Sequence, residues 1–150
     1  MNWTKDKSAK LSMICIWIFA ALLLTADVTA VRLAKWYAGL RFYGTLPYGM
    51  LLTLSVYLLS IPAWICLWNL RKLLLNIMGG KTFVDDNVRY LRIVSWCCAA
   101  AAVICLLSGI FYIPFLIFAI AAAFMMLIVR IVKNVFRQAV DMKSELDLTI

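Results

Sequence analysis

The sequence contains no histidine, and this absence excludes several kinds of chemistry at once. Without an imidazole there is no Ser-His or Cys-His catalytic pair, and no His-ligated haem, zinc or copper. Charged residues make up only 15% of the chain. The segment Gly79-Gly80-Lys81 is too short for a phosphate-binding P-loop. The sequence therefore predicts a non-enzymatic protein with no catalytic residue, no cofactor and no metal site.

The five cysteines form no C-x-x-C pair, which is the spacing typical of thiol redox centres. They are Cys15, Cys66, Cys97, Cys98 and Cys105, and all of them lie inside apolar runs. Buried cysteine usually behaves as a small hydrophobic residue, so a structural role is expected. Membrane thiol oxidoreductases need reactive pairs on the outer side, whereas Cys97 and Cys98 are predicted at the inner end of a span.

Apolar residues are abundant instead, at 66% of the 150 residues. A soluble domain is typically about 45–50% apolar, and a small one must cover itself with polar residues. Only a lipid-facing surface accommodates this excess. The sequence therefore predicts an all-α integral membrane protein with four transmembrane helices and helical cytoplasmic extensions.

The apolar runs set the boundaries within a single membrane domain. The predicted spans are about 11–31, 46–70, 93–110 and 113–132, with a cytoplasmic hairpin at about 71–92 and a cytoplasmic tail at 133–150. The last two spans share one apolar stretch of roughly 60 Å, about two bilayer cores, and Gly109 and Pro114 near its middle predict a turn. Val28-Thr29-Ala30 resembles a signal-peptide cleavage site, but the first apolar run is long for that role, so an uncleaved span is expected.

The distribution of lysine and arginine predicts the orientation. With the N-terminus inside, twelve of these residues fall on the inner side and three, Arg32, Lys35 and Arg41, on the outer side. The positive-inside rule then places both termini on the cytoplasmic side of the membrane. Because the cations flank the apolar runs and form no single stripe, direct nucleic-acid binding is disfavoured. Membrane lipid is the expected surrounding.

Two features predicted towards the outer side of the membrane each allow two interpretations. The segment from Arg32 to Pro47 mixes aromatic rings with cations, and predicts either an interfacial anchor or a binding surface for an amphipathic or anionic ligand. Asp27 is the only acid inside a predicted span, which makes it a functional candidate. Four-span multidrug exporters use such a carboxylate for proton exchange. Its predicted position near Arg32 and Lys35 favours an interfacial ion pair.

Helical periodicity continues beyond the membrane on the inner side. Gly79-Gly80 predicts a helix end, and Thr82 with Asp85 predicts a capping box for the next helix. Asp85 and Asp86 suit the first turn of that helix, and Asp85 can pair with Arg89. The fourth span continues as an amphipathic helix, which either joins a small helical platform or lies along the anionic leaflet.

The hairpin sequence resembles a bacterial family of four-span membrane proteins catalogued as domain of unknown function 2975. The residues that carry the resemblance are Leu70-Arg71-Lys72, Gly80-Lys81-Thr82-Phe83, Asn87 and Leu91-Arg92, with Thr82 where proline is commoner in the family. The resemblance implies a membrane partner for a small helix-turn-helix regulator, since members of that family are often encoded beside one.

The candidate site is therefore the cytoplasmic motif of this hairpin. It comprises Gly80, Phe83, Asp85, Asp86, Asn87, Arg89, Leu91 and Arg92, with Asp27 as a separate intramembrane acid. Phe83 is expected to wedge between the two cytoplasmic helices, and Asn87 to cap or cross-link backbone near Gly79-Gly80.

The alternative function is a small membrane transporter or transporter accessory subunit. Alanine-rich stretches in the last two spans leave a homo-oligomer open.

Overall fold

The computed structural model describes the backbone of residues 3–40 and 48–149 and the side chains of residues 7–36 and 49–149. Its four helices are α1 (Trp3–Leu40), α2 (Tyr48–Met78), α3 (Asp85–Gly109) and α4 (Pro114–Leu148). Each is long and apolar enough to cross a membrane, and the described residues contain no strand. The all-α, four-span prediction is confirmed, and the chain is a multi-pass membrane protein.

The helices are longer than the apolar runs that predicted them. At about 1.5 Å per residue, the 38 residues of α1 and the 35 of α4 extend over roughly 50–57 Å, well beyond a bilayer core of about 30 Å. Arg32, Lys35 and Trp36 belong to α1 and not to a loop. The remainder of the predicted outer loop lies outside the residues whose side chains are described. The cytoplasmic tail predicted at 133–150 is helical as far as Leu148.

Each helix packs against the next along the chain, and successive helices are antiparallel. Asp27 meets Ser60 between α1 and α2, while Asn76 meets Asn87 and Ser55 meets Ser108 between α2 and α3. Among the described residues, non-consecutive helices make no close backbone contact. One end of the molecule, here called the loop end, therefore holds the start of α1, the α2–α3 loop and the end of α4.

The buried side chains are concentrated in α3, which packs against α2 and makes the most extensive helix contact of the described residues with α4. Val88, Leu91, Val94 and Cys97 recur every three residues and are at most 9% exposed. Most large apolar side chains of the other helices are exposed, as expected for surfaces that face lipid rather than water.

The α3–α4 turn lies where glycine and proline predicted it. Gly109 is the last residue of α3, and Pro114 begins α4, where its missing N–H would have no helical partner. The backbone N–H groups of Phe111 and Tyr112 both bond the Ser108 carbonyl, at 3.1 and 2.9 Å. The turn thus supplies hydrogen-bond donors for a carbonyl at the C-terminal end of α3.

Gly109→Ala should destabilise this turn by about 1–3 kcal/mol, because the added methyl has no room. A Cβ at Gly109 would lie 2.5 Å from Cδ2 and 2.8 Å from Cγ of Leu116 in α4. Unfolding in detergent micelles measures the loss, and Leu116→Ala in the same chain should recover part of it. Gly79→Ala is the control, since its nearest neighbour would be 3.4 Å away. Equal losses at the two glycines would contradict this explanation.

Candidate functional site

The C-terminus of α2 ends in the glycine-dependent manner that the sequence predicted. Gly80 has φ +74°, a left-handed conformation that glycine adopts without steric cost. The Lys81 N–H bonds the Asn76 carbonyl at 2.9 Å, and the Gly80 N–H bonds the Ile77 carbonyl at 3.1 Å. This pair of bonds is a Schellman motif, which satisfies carbonyls at the helix end and reverses the chain direction.

The start of α3 differs from the predicted capping box. The N-cap residue is Val84, in an extended conformation, and no side chain caps the helix. Thr82 contributes its backbone carbonyl to a different contact, with the Asn87 amide. Asp85 and Asp86 do lie in the first turn. The predicted Asp85–Arg89 ion pair is wrong, since Arg137–Asp141, at 3.8 Å, is the only ion pair within the described residues.

Asn87 holds the α2–α3 loop together and is completely buried. Its Nδ2 donates to the carbonyls of Lys81 and Thr82, both at 2.8 Å, and its Oδ1 accepts from Asn76 Nδ2 at 2.9 Å. One side chain therefore joins the loop backbone to the last turns of α2. The prediction that Asn87 cross-links backbone beside Gly79-Gly80 is confirmed.

Phe83 does not take the predicted position as a wedge between α2 and α3. The residue is 46% exposed, and its ring lies 6.2 Å, centroid to centroid, from the ring of Phe136 in α4. The contact connects the loop to the part of α4 that extends beyond the apolar run. Leu91, the other apolar residue of the motif, is 5% exposed and packs in the core.

The charged residues of the motif lie beside the α2–α3 loop, which we call the locked loop because Asn87 holds its backbone, and they are all exposed. They are Asp85, Asp86, Arg89 and Arg92, and none of them joins an ion pair within the described part of the chain. A rigid loop with exposed charges presents those charges in a fixed arrangement, which lowers the entropic cost of binding a partner. We call Asp85, Asp86 and Arg89 the charged rim.

The basic pair at the end of α2 lies among aromatic rings. The guanidinium of Arg71 is 5.5 Å from the ring centroid of Trp17 and 5.8 Å from that of Trp68. Lys72 Nζ is 5.7 Å from the Trp68 ring and 6.0 Å from the Tyr90 ring. Such cation–π contacts, between residues that favour the membrane interface, anchor the loop end and connect α1, α2 and α3.

Asp27 is half-buried and is hydrogen-bonded to α2. Its Oδ2 accepts from Ser60 Oγ at 2.8 Å and from Trp64 Nε1 at 3.1 Å, and Tyr57 OH donates to its backbone carbonyl at 3.2 Å. Ser60 lies near the middle of the predicted span 46–70. The predicted ion pair with Arg32 or Lys35 is therefore wrong, because hydroxyl and indole donors of α2 take that place.

The second carboxylate oxygen of Asp27 has no such donor. Oδ1 is buried and without a hydrogen-bond partner. The residue also lines a cavity of about 330 Å³, together with Pro62 in α2 and with Cys66, Cys97 and Cys98. Burying a carboxylate oxygen without a donor is costly, so this atom is a candidate acceptor for a proton or a cationic ligand.

The other intramembrane hydroxyls do not continue a polar path from Asp27. Ser55 and Ser108 bond each other at 2.9 Å, which joins α2 to α3. Thr25 and Thr53 bond carbonyls of their own helices. The described polar side chains thus form separate groups, and the Asp27 group includes Ser60 and Trp64, which the sequence did not single out together.

Comparison with protein families assigns the chain as a whole. No curated protein and no solved structure matches it. The family model described as "Protein of unknown function (DUF2975)" matches residues 9–150, which include all four spans, the α2–α3 loop and the α4 extension. The chain therefore belongs to this family.

Proposed function

We propose that the protein is a non-enzymatic component of the bacterial cytoplasmic membrane that binds a small helix-turn-helix regulator on its cytoplasmic face. The loop end would be cytoplasmic, since twelve of the fifteen cations belong to the segments at that end. Both termini are then cytoplasmic. The observation that carries the proposal is the locked loop, in which buried Asn87 fixes the exposed Asp85 and Asp86.

The charge of this loop suits a DNA-binding partner. DNA-binding domains carry clustered Lys and Arg on the face that contacts phosphates. Two adjacent exposed carboxylates can pair with such cations and compete with DNA for the same surface. Complementary charges of this kind favour encounter and orientation, and they make the association sensitive to salt.

An exposed apolar face on the α4 extension adds contact area beside the loop. Ile131, Val135, Met142 and Leu146 recur at helical spacing and are 58–65% exposed. The Phe83–Phe136 contact holds this extension against the loop. The charged rim and the apolar face together would form a two-part surface, of the kind found where a polar rim surrounds an apolar core.

Co-purification with a small helix-turn-helix regulator tests this proposal. Membranes containing the wild type should retain the regulator, and Asp85→Ala/Asp86→Ala should reduce retention about tenfold, as loss of two charge pairs predicts. Glu145→Ala/Asp147→Ala removes the same charge from the end of α4 and should leave retention unchanged. A regulator that stays wholly cytosolic with and without the protein would show that the proposal is wrong.

A transporter is the second candidate, and the observation that favours it is the cavity beside Asp27. An acid with a buried, unpartnered oxygen in a 330 Å³ cavity could exchange a proton for a cationic substrate. Proton-dependent efflux from reconstituted vesicles that is lost in Asp27→Asn and kept in Asp141→Asn would establish this function. Asp141 is an exposed acid of α4 outside the cavity.

A further inference from the structure

A second, differently charged pocket lies between α3 and α4 at the loop end. Its volume is about 290 Å³. Its lining residues are Arg92, Ser95 and Trp96 of α3 and Met126, Arg130 and Lys133 of α4. We call it the basic pocket. It contains three cations and no carboxylate, and it is separate from the Asp27 cavity, which α1, α2 and α3 line.

The three cations of the basic pocket have no counter-charge among the described residues. None of them takes part in an ion pair there. Like charges gathered in one pocket repel each other, and the repulsion is stronger near low-dielectric surroundings than in water. An anion bound among them would remove this repulsion and receive charge-assisted hydrogen bonds from two guanidinium groups.

The depth of the pocket along the helices matches the edge of the hydrocarbon layer. Arg92 precedes Gly109 by 17 residues, or about 26 Å of helix, and Arg130 follows Pro114 by 16 residues, or about 24 Å. A hydrocarbon core is about 30 Å thick. The cations of both helices therefore lie near the level of lipid phosphates.

The pocket becomes apolar towards the membrane interior. Trp96 lies one helical turn inward from Arg92, and Met126 lies one turn inward from Arg130. Trp96 is 72% exposed, so its side chain is available to a neighbouring molecule. A soluble anion gains nothing from this apolar floor, whereas a phospholipid carries glycerol and acyl chains directly beneath its phosphate.

We propose that the basic pocket binds the phosphate headgroup of an anionic phospholipid, with Arg92, Arg130 and Lys133 on the phosphate and with Trp96 and Met126 against the glycerol and upper acyl chain. The volume accommodates a phosphate with its glycerol ester. Basic pockets between membrane helices are a recurrent means of holding such headgroups. The bound lipid would connect α3 to α4 beside the α2–α3 loop.

Native mass spectrometry of the full chain, released from nanodiscs of equal phosphatidylglycerol and phosphatidylcholine content, tests the site. The wild type should retain phosphatidylglycerol in preference to phosphatidylcholine. Arg92→Gln/Arg130→Gln should weaken retention about twenty-fivefold, at about fivefold for each charge. The matched control, Arg89→Gln/Arg137→Gln, removes one exposed cation from each of the same helices outside the pocket and should change retention less than twofold.

Two further arms decide the outcome. Arg92→Lys/Arg130→Lys keeps both charges and should keep most of the retention, which separates lost charge from lost folding. Equal losses in the pocket and control variants would overturn the proposal. Displacement of the lipid by inorganic phosphate or glycerol 3-phosphate at equal concentration would also overturn it, since the ligand would then be a soluble phosphate.

Discussion

Replacing Asn87 with alanine should lower the free energy of unfolding by about 2–4 kcal/mol and open the α2–α3 loop. The substitution removes three side-chain hydrogen bonds and leaves Asn76 Nδ2 and two loop carbonyls without their partner. Each buried polar group left unsatisfied costs about 1–3 kcal/mol. Because Asn87 is 0% exposed, water cannot replace the lost bonds without entering the packed loop.

Two measurements check the Asn87 prediction. Equilibrium unfolding in detergent micelles gives the loss of stability, and limited trypsin digestion should show faster cleavage after Lys81, which is exposed in the loop. Asn76→Ala removes one of the three bonds and should cost less. Asn134→Ala, at an exposed position of α4, should stay within about 0.5 kcal/mol of the wild type. Unchanged cleavage in Asn87→Ala would contradict the assigned role.

The same variant tests whether the charged rim is the binding surface. If the charged rim is the binding surface, Asn87→Ala should also weaken regulator retention, although the side chain itself is buried. Asp85 and Asp86 keep fixed positions only while Asn87 holds the loop backbone in place. Without the Asn87 hydrogen bonds, the regulator must order the loop when it binds, and this entropic cost weakens the affinity. Retention that survives in Asn87→Ala would place the binding surface elsewhere.

Asp27→Asn should raise stability by about 1–3 kcal/mol, against the usual direction for a substitution inside a membrane domain. The asparagine oxygen can still accept from Ser60 and Trp64, and a neutral amide nitrogen in place of the unpartnered Oδ1 costs less to bury than a charged carboxylate. A residue that lowers stability in the wild type is typical of a functional site.

Unfolding of three chains in the same micelle measures this effect. The expected order of stability is Asp27→Asn, then wild type, then Asp27→Ala, because alanine leaves Ser60 Oγ and Trp64 Nε1 without an acceptor. A hydrogen bond between membrane helices contributes on average about 0.6 kcal/mol, with a maximum near 1.7, so the alanine loss should be moderate. If Asp27→Asn is less stable than the wild type, the prediction is wrong, and the Asp27 carboxylate serves to stabilise the contact between α1 and α2.

The sequence by itself determined the number of spans, their order and the positions of the chain reversals. These follow from local causes. A run of about 20 apolar residues must be helical in lipid, because every backbone group needs a partner there. Gly79-Gly80 and Gly109 with Pro114 end and begin helices through their own backbone preferences. The role of Asn87 was also foreseen, since its partners are only five and six residues away.

The tertiary structure alone decided the contacts between distant residues. Asp27 was assigned to Arg32 and Lys35 because they are its neighbours in sequence, yet its partners Ser60 and Trp64 are 33 and 37 residues away. Phe83 was assigned to the adjacent helices and meets Phe136 of α4 instead. The basic pocket joins Arg92 to Arg130 and Lys133 only because α3 and α4 are antiparallel neighbours. Helix periodicity states which residues share a face, whereas packing decides which faces meet.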